Sequence, residues 1–262
     1  MQVFGYRVRS PAATYSIAVQ KAPDRLLIEL ELPQLPIAAH HNLILHWVLL
    51  VGLLDFFTHL LVGRLIGLLG DERSQTAAAL AAALPDLDVI LMLAGLYVRL
   101  PPLATHRGLT HSVFTSTLLA AAATLAGVLT GYFKPAHLPY AVAGALSHIT
   151  LDYLTTGGIP VFYPLSARRY AADLFYYIDP LIAVASFPLS LALAMRVAGK
   201  RAILAFSLYL LAYGAARLAF KLIALRAAAS LAASRVYPTP LPNRWLIPSD
   251  KGLVAYTIPS RG

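Results

Sequence analysis

Two stretches of this chain, Leu32 to Leu54 and Gly108 to Phe133, contain no Asp, Glu, Lys or Arg. At about 1.5 Å per residue, a helix of either length approaches or exceeds the roughly 30 Å of a bilayer's hydrocarbon core. The rest of the chain follows suit: 13% of its 262 residues are charged and 58% are hydrophobic, with a mean hydropathy of +0.67. A water-soluble domain typically carries about 25% charged residues, so too little charge is present to coat a globule in water. An ordinary cytosolic enzyme and a disordered chain are therefore excluded. The expected fold is all-α: a polytopic transmembrane helix bundle, multi-pass in the cell (inner or plasma) membrane, with short soluble N- and C-terminal segments.

About six spans are expected, near 43–69, 76–98, 112–133, 138–154, 180–197 and from 202 onward, with the second broken at Pro85. The far half of the last one carries Arg217, Lys221 and Arg226, which should leave the bilayer or lie along its surface. Residues 1–41 form a polar segment with a short strand or hairpin, because "DRLLIELELPQLP" alternates apolar and acidic residues before two prolines. Residues 42–235 form the membrane domain, and 236–262, with five of the 18 prolines, a soluble tail. The formal charge of +9 sits mostly at the ends of apolar runs, where lipid headgroups are the natural partner and nucleic acid is not. No leading apolar core marks a cleavable signal peptide in the first forty residues. Cysteine is absent, so any transition metal has to be held by imidazole and carboxylate.

Five of the 12 acidic residues, Asp55, Asp86, Asp88, Asp152 and Asp179, fall inside or at the mouth of apolar runs. Insertion scales charge about 2.5–3.5 kcal/mol for an Asp at the centre of a span, so such groups persist only when paired, protonated or bound to a cation. Asp55 and His59 share a helix face at i,i+4 spacing, as do His148 and Asp152. His106 and His111 converge only if Gly108 lies in a turn and His111 in the first helical turn after it. Asp86 and Asp88, following Pro85, fall at the start of a half-helix, where the macrodipole favours anions. Taken singly, an i,i+4 pair is more often a buried hydrogen bond than a ligand set. Four segments supplying His and Asp together favour a metal site. His40, His41, His46 and His137 are assigned no role, because each lacks a nearby carboxylate in sequence.

Imidazole and carboxylate without thiolate suit a divalent ion, Zn²⁺, Mn²⁺ or Fe²⁺, with one or two ions possible. Arg107 is placed to clamp an anionic group, and Asp88 or Asp55 is free to act as general base or to orient a ligand.

These residues resemble the LexA-binding, inner-membrane-associated hydrolase family, also described as membrane-bound metal-dependent hydrolases. The resemblance rests on Thr58-His59 followed by Gly63, Pro85-Asp86-Leu87-Asp88, His106-Arg107-Gly108-Leu109-Thr110-His111-Ser112, and His148 with Asp152 running into Thr156-Gly157; Tyr177-Ile178-Asp179-Pro180 is similar to longer members. It implies an integral membrane protein with a divalent-metal hydrolase site. The resulting expectation is a membrane-embedded hydrolase acting on an ester or phosphoester of a lipid-like substrate near the headgroup plane. Its metal ligands are His106, His111, His148 and Asp152, with Asp86 and His59 as additions, and the preferred ions are Zn²⁺ or Mn²⁺. Arg107, Asp88 and Asp55 are the catalytic candidates. The alternative is a non-enzymatic metal- or proton-binding membrane protein or transporter, since intramembrane His and Asp and broken helices also serve transport.

Overall fold

The computed structural model describes residues 2–9, 14–22, 25–31, 55–89, 106–249 and 252–258, the first three segments as backbone. The start of the expected first span, the second half of the second, and His40, His41 and His46 lie outside the described residues. The described chain is mostly helical: α1 at 55–67, α2 at Glu72–Ala83, α3 at Val113–Leu129, α4 at Leu138–Leu154, α5 at Pro180–Ala194 and α6 at Lys200–Ala229.

The all-α expectation needs correction, because two three-stranded antiparallel sheets accompany the helices. One is made by β1 (Gln2–Arg9), β2 (Thr14–Ala22) and β3 (Arg25–Glu31), with Val3 opposite Gln20 and Val19 opposite Ile28. The other is made by β4 (Tyr237–Pro238), β5 (Arg244–Ser249) and β6 (Gly252–Thr257). The second sheet has a plain physical cause. Along β5, Trp245 and Ile247 are buried while Arg244 and Leu246 are only half-buried, the period of two that a one-sided strand requires. Pro238 ends the edge strand β4, and Pro248 lies one residue from the end of the central strand β5. Among the described residues only Lys200–Ala229 is long and apolar enough to cross a membrane; Val113–Leu129 and Pro180–Ala194 are shorter apolar helices.

The described residues form two compact units: β1–β3, Asp173–Tyr176 and Tyr213 onward make one; 55–89, 106–172 and 177–212 make the other. In the first, α6 runs unbroken past Arg217, and Ala224 and Ala228 pack with Val236, Trp245, Ile247 and Ile258. Arg217 is buried there. Its Nε donates to the Leu174 carbonyl at 3.1 Å, an Nη donates to the Pro242 carbonyl at 3.2 Å, and the guanidinium lies 4.7 Å from the Trp245 ring centroid.

The second unit is organised by close helix packing. α2 reads "ERSQTAAALAAA" and buries Ala77, Ala78, Ala79, Ala81, Ala82 and Ala83. A Cβ built on Gly63 of α1 would stand 2.5 Å from the Ala78 carbonyl oxygen, and one on Gly144 of α4 only 2.2 Å from the same atom. Small residues thus let both helices approach the α2 backbone itself, the packing device of membrane helices. His59 lies one turn before Gly63 and His148 one turn after Gly144, so both imidazoles meet near the C-terminal end of α2. That end falls at Pro85, whose missing N–H and ring disfavour continuing the α-helix; Leu84–Asp88 form a 3₁₀ turn instead. At its other end Asp71 caps α2 reciprocally with Ser74, and those hydrogen bonds lower the Asp71 carboxyl to about 2.

His137 departs from the sequence reading. Its Nε2 lies 3.4 Å from Asp71 and its Nδ1 accepts from the Lys134 backbone N–H at 3.0 Å, so a carboxylate distant in sequence and adjacent in space partners it. Asp179 is the N-cap of α5, accepting from the Leu181 N–H at 3.1 Å.

Gly144→Val is expected to destabilise the second unit by at least the roughly 1–3 kcal/mol of an overpacked core, because the neighbour it meets is backbone. Gly199→Ala, where nothing lies within 4 Å of the added carbon, should leave thermal unfolding in detergent unchanged. Equal melting temperatures for the two variants would refute the close-packing account.

Candidate metal centre

Four segments of the second unit deliver titratable side chains to one place: Asp55 and His59 from α1, Asp86 and Asp88 from the 3₁₀ turn, the loop 106–112, and His148 and Asp152 from α4. The loop is held by local bonds. Arg107 has φ of 59°, a left-handed conformation uncommon outside glycine, and the His111 N–H donates to the Gly108 carbonyl at 3.1 Å. Ser112 caps α3 by accepting from the Thr115 N–H, and the Thr115 hydroxyl donates to the Leu109 carbonyl. Gly108 therefore lies in a turn. His111, however, sits one residue ahead of the N-cap rather than in the first helical turn, and the left-handed residue is Arg107.

The geometry converges on the unpartnered atoms. His59 Nε2, both oxygens of Asp86, His111 Nε2, His148 Nε2 and Asp152 Oδ2 are buried without a hydrogen-bond partner. His111 Nε2 lies 3.5 Å from Asp86 Oδ1 and 3.3 Å from Asp152 Oδ2; His148 Nε2 lies 3.7 Å and 3.6 Å from the same two oxygens. His59 Nε2 is 3.4 Å from Asp152 Oδ1 and 4.0 Å from Asp86 Oδ2. Charge-assisted N–H···O bonds are shorter, about 2.7–2.9 Å. The edges of a tetrahedron around an ion with bonds of 2.0–2.2 Å are about 3.3–3.6 Å. The spacing thus fits donors facing a shared cation better than donors bonded to each other.

The second imidazole nitrogens of His148 and His111 are tied down in the way ligating histidines require, whereas His59 Nδ1 is buried without a partner. His148 Nδ1 lies 2.7 Å from the Ala82 carbonyl. That oxygen can only accept, so the proton belongs on Nδ1 and the Nε2 lone pair faces the cluster. His111 Nδ1 is 3.2 Å from Asp88 Oδ2 and 2.9 Å from the Thr110 hydroxyl, which itself donates to Asp88 at 2.5 Å. Asp88 also meets His106 Nδ1 at 2.6 Å. Both Asp88 oxygens are thereby engaged in orienting neighbours. His106 belongs with Asp88 and His111 in an adjoining set, while His59, His148 and Asp152 form one potential ligand group and Asp86, His111 and His148 another.

Arg107 is buried and turned toward the carboxylates. One Nη donates to Asp55 Oδ2 at 2.9 Å and Asp152 Oδ1 at 3.0 Å, the other to the Thr155 hydroxyl at 2.7 Å, and the guanidinium stacks 3.9 Å from the Tyr177 ring centroid. Burial disfavours its charge, but Asp152 and Asp55 outweigh that and hold it protonated more firmly than usual. Burial likewise raises the Tyr177 phenol, with Arg107 acting in the opposite sense. Asp55, the most accessible acid of the cluster, has its second oxygen 3.6 Å from His59 Nε2. Thr110, Thr155, Tyr177 and the Ala82 carbonyl were not singled out from sequence. Thr110 and Tyr177 lie within the quoted motifs, whereas a backbone carbonyl leaves no residue-type signal.

Fold and site together define a helical protein whose apolar interior encloses a carboxylate–imidazole cluster. A family model described as YdjM inner membrane protein matches residues 54–226. The chain belongs to the YdjM inner membrane protein family and resides in the inner membrane. It is 38% identical over 97 residues to the inner membrane protein YdjM of Escherichia coli (strain K12), and equally to that of Shigella flexneri. The alignments cover 35% of this chain and 50% of each relative, so the chain spans about half the length of the curated relatives it matches. No solved structure matches the chain.

Arg107→Leu is expected to cost about 3–5 kcal/mol, as for other broken buried ion pairs, because Asp55 and Asp152 lose their guanidinium. The lowered melting temperature should be measurable without any substrate. A melting temperature equal to wild type would contradict this neutralising role.

Proposed function

We propose that the chain is a membrane-embedded metal-dependent hydrolase, crossing the inner membrane about six times and acting on an ester or phosphoester of an amphiphilic substrate near the headgroup plane. The observation that carries this reading is the set of buried, unpartnered ligand atoms on His59, Asp86, His111, His148 and Asp152. These five residues would hold a divalent ion, Zn²⁺ or Mn²⁺ by donor type. Such an ion supplies Lewis acidity, polarising a carbonyl or phosphoryl oxygen and bringing the deprotonation of water toward neutral pH.

The protein's own residues divide the remaining work. Asp88 and Thr110 fix the His111 ring, the Ala82 carbonyl fixes His148, and Asp88 holds His106 beside the cluster. Arg107 bonds Asp55 and Asp152 and offsets part of their negative charge. Asp55, as the most accessible carboxylate, is the group best placed to accept a proton from an entering nucleophile. The resemblance to the LexA-binding, inner-membrane-associated hydrolases supports hydrolysis as the reaction class.

Protein purified in detergent and exchanged into metal-free buffer should retain about one or two equivalents of a divalent ion by elemental analysis. His111→Ala and Asp86→Ala should lose it. Acidification should release the ion, because imidazole and carboxylate bind it only when deprotonated. Hydrolysis of nitrophenyl ester and phosphodiester probes in mixed micelles should depend on the same residues. Absence of stoichiometric metal would overturn the reading at its base. Metal retention with no turnover, and metal flux into proteoliposomes, would favour a cation-binding protein or transporter instead.

A further inference from the structure

The second unit contains a cavity of about 510 Å³, lined by Val113, Leu146, Ile149, Thr150, Tyr153, Val161, Phe162 and Tyr170. Its volume is within the roughly 300–1,000 Å³ of small-molecule pockets. No charged side chain lines it, and the polar side-chain atoms available are the hydroxyls of Thr150, Tyr153 and Tyr170. The wall is built rather than accidental: the Val113 N–H donates to the Val161 carbonyl at 3.0 Å, and Tyr170 and Ile159 exchange backbone hydrogen bonds at 2.9 and 3.0 Å. Phe162 packs edge-on against Tyr170 with ring centroids 5.4 Å apart. The cavity is open, since Leu146, Tyr153 and Phe162 remain exposed by 38%, 41% and 48%.

Charge stands next to it. Arg168 is exposed, and its guanidinium lies 5.3 Å from the centroid of the Tyr170 ring that lines the cavity. No carboxylate pairs with Arg168 among the described residues. An apolar slot with tyrosines in its lining and an exposed guanidinium close by complements an amphiphile with a hydrocarbon chain and an anionic head. Tyrosine favours the level where apolar and wet surroundings meet. In an inner-membrane protein, the amphiphile at hand is the bilayer lipid.

We propose that this cavity is a binding site for an anionic bilayer lipid, with an acyl chain along Leu146, Ile149 and Phe162 and the headgroup phosphate drawn to Arg168. The site is separate from the carboxylate–imidazole cluster and does not depend on the hydrolase reading. His148 and Asp152 nevertheless share the two turns of α4 that carry Ile149 and Tyr153, so a bound lipid lies against the same stretch of helix as the cluster.

The test is native mass spectrometry of full-length protein in detergent, after delipidation, with dipalmitoyl phosphatidylglycerol or dipalmitoyl phosphatidylcholine added back. Wild type should hold phosphatidylglycerol in preference to phosphatidylcholine. Thr150→Trp, which fills the slot from an exposed position, should lower phosphatidylglycerol retention by about tenfold or more while thermal unfolding and metal content stay at wild-type values. Arg168→Gln should bring phosphatidylglycerol down to the phosphatidylcholine level. Leu146→Trp takes the place of Thr150→Trp if the latter does not fold. Equal retention of the two lipids by wild type, or undiminished retention by the slot-filling variant, would overturn the proposal and leave only lipid loosely ringing the protein. Loss of metal with lipid binding intact would count against the hydrolase reading alone.

Discussion

Buried negative charge is the constraint on which the rest of this structure depends. Asp55, Asp86, Asp88 and Asp152 place four carboxylates in one apolar interior, and Arg107 is the only guanidinium bonded to them among the described residues. Each such acid costs about 2.5–3.5 kcal/mol on insertion scales. Arg107 compensates one charge, through Asp55 and Asp152, and Asp88 is satisfied by His106, Thr110 and His111. Asp86 has neither kind of relief: both its oxygens are buried and unpartnered, and what faces them is imidazole nitrogen. A divalent cation at that point would offset the residual charge and satisfy the donor atoms at once.

The helices explain how the chain brings these groups together. Backbone-to-backbone approach at Gly63, Ala78 and Gly144 sets the spacing of α1, α2 and α4, and the histidines one turn away inherit that spacing. Pro85 ends α2 where they meet, and the 3₁₀ turn that follows swings Asp86 toward them. The loop 106–112 completes the enclosure, with Arg107 in a left-handed conformation that turns its side chain back onto Asp55 and Asp152. Strain at one residue is tolerable when several bonds over-determine it, and here the guanidinium has partners on α1, on α4 and at Thr155.

Much of this was legible in the residues. Acids stranded in apolar runs cannot be left unpaired, so scarcity of charge points to Asp55, Asp86, Asp88 and Asp152, and i,i+4 spacing joins His59 and His148 to them; the same argument names Asp179, which instead caps α5. What sequence patterns carry poorly is partnership across distance. His137 was set aside because no acid is near it in sequence, yet Asp71 lies beside it in space. His106 meets Asp88 and forms with it and His111 an adjoining set that could also hold an ion, a division that spacing in sequence does not reveal. The five prolines in 236–262 mark a soluble tail without revealing the second sheet, because Trp245, Leu246 and Ile247 are all apolar and the alternation along β5 lies in their burial. Residue types mark Arg217 as charged but not its partners: the carbonyls of Leu174 and Pro242 that receive its guanidinium carry no residue-type signal.

X-ray absorption spectroscopy of the metal-loaded protein tests the central claim most directly. The account predicts an oxygen and nitrogen shell at about 2.0–2.1 Å with no sulfur contribution, and outer-shell scattering from imidazole rings that weakens in His111→Ala and in His148→Ala. A shell of oxygen alone, unchanged by either substitution, would place the metal elsewhere and contradict the assignment of the buried cluster as its site.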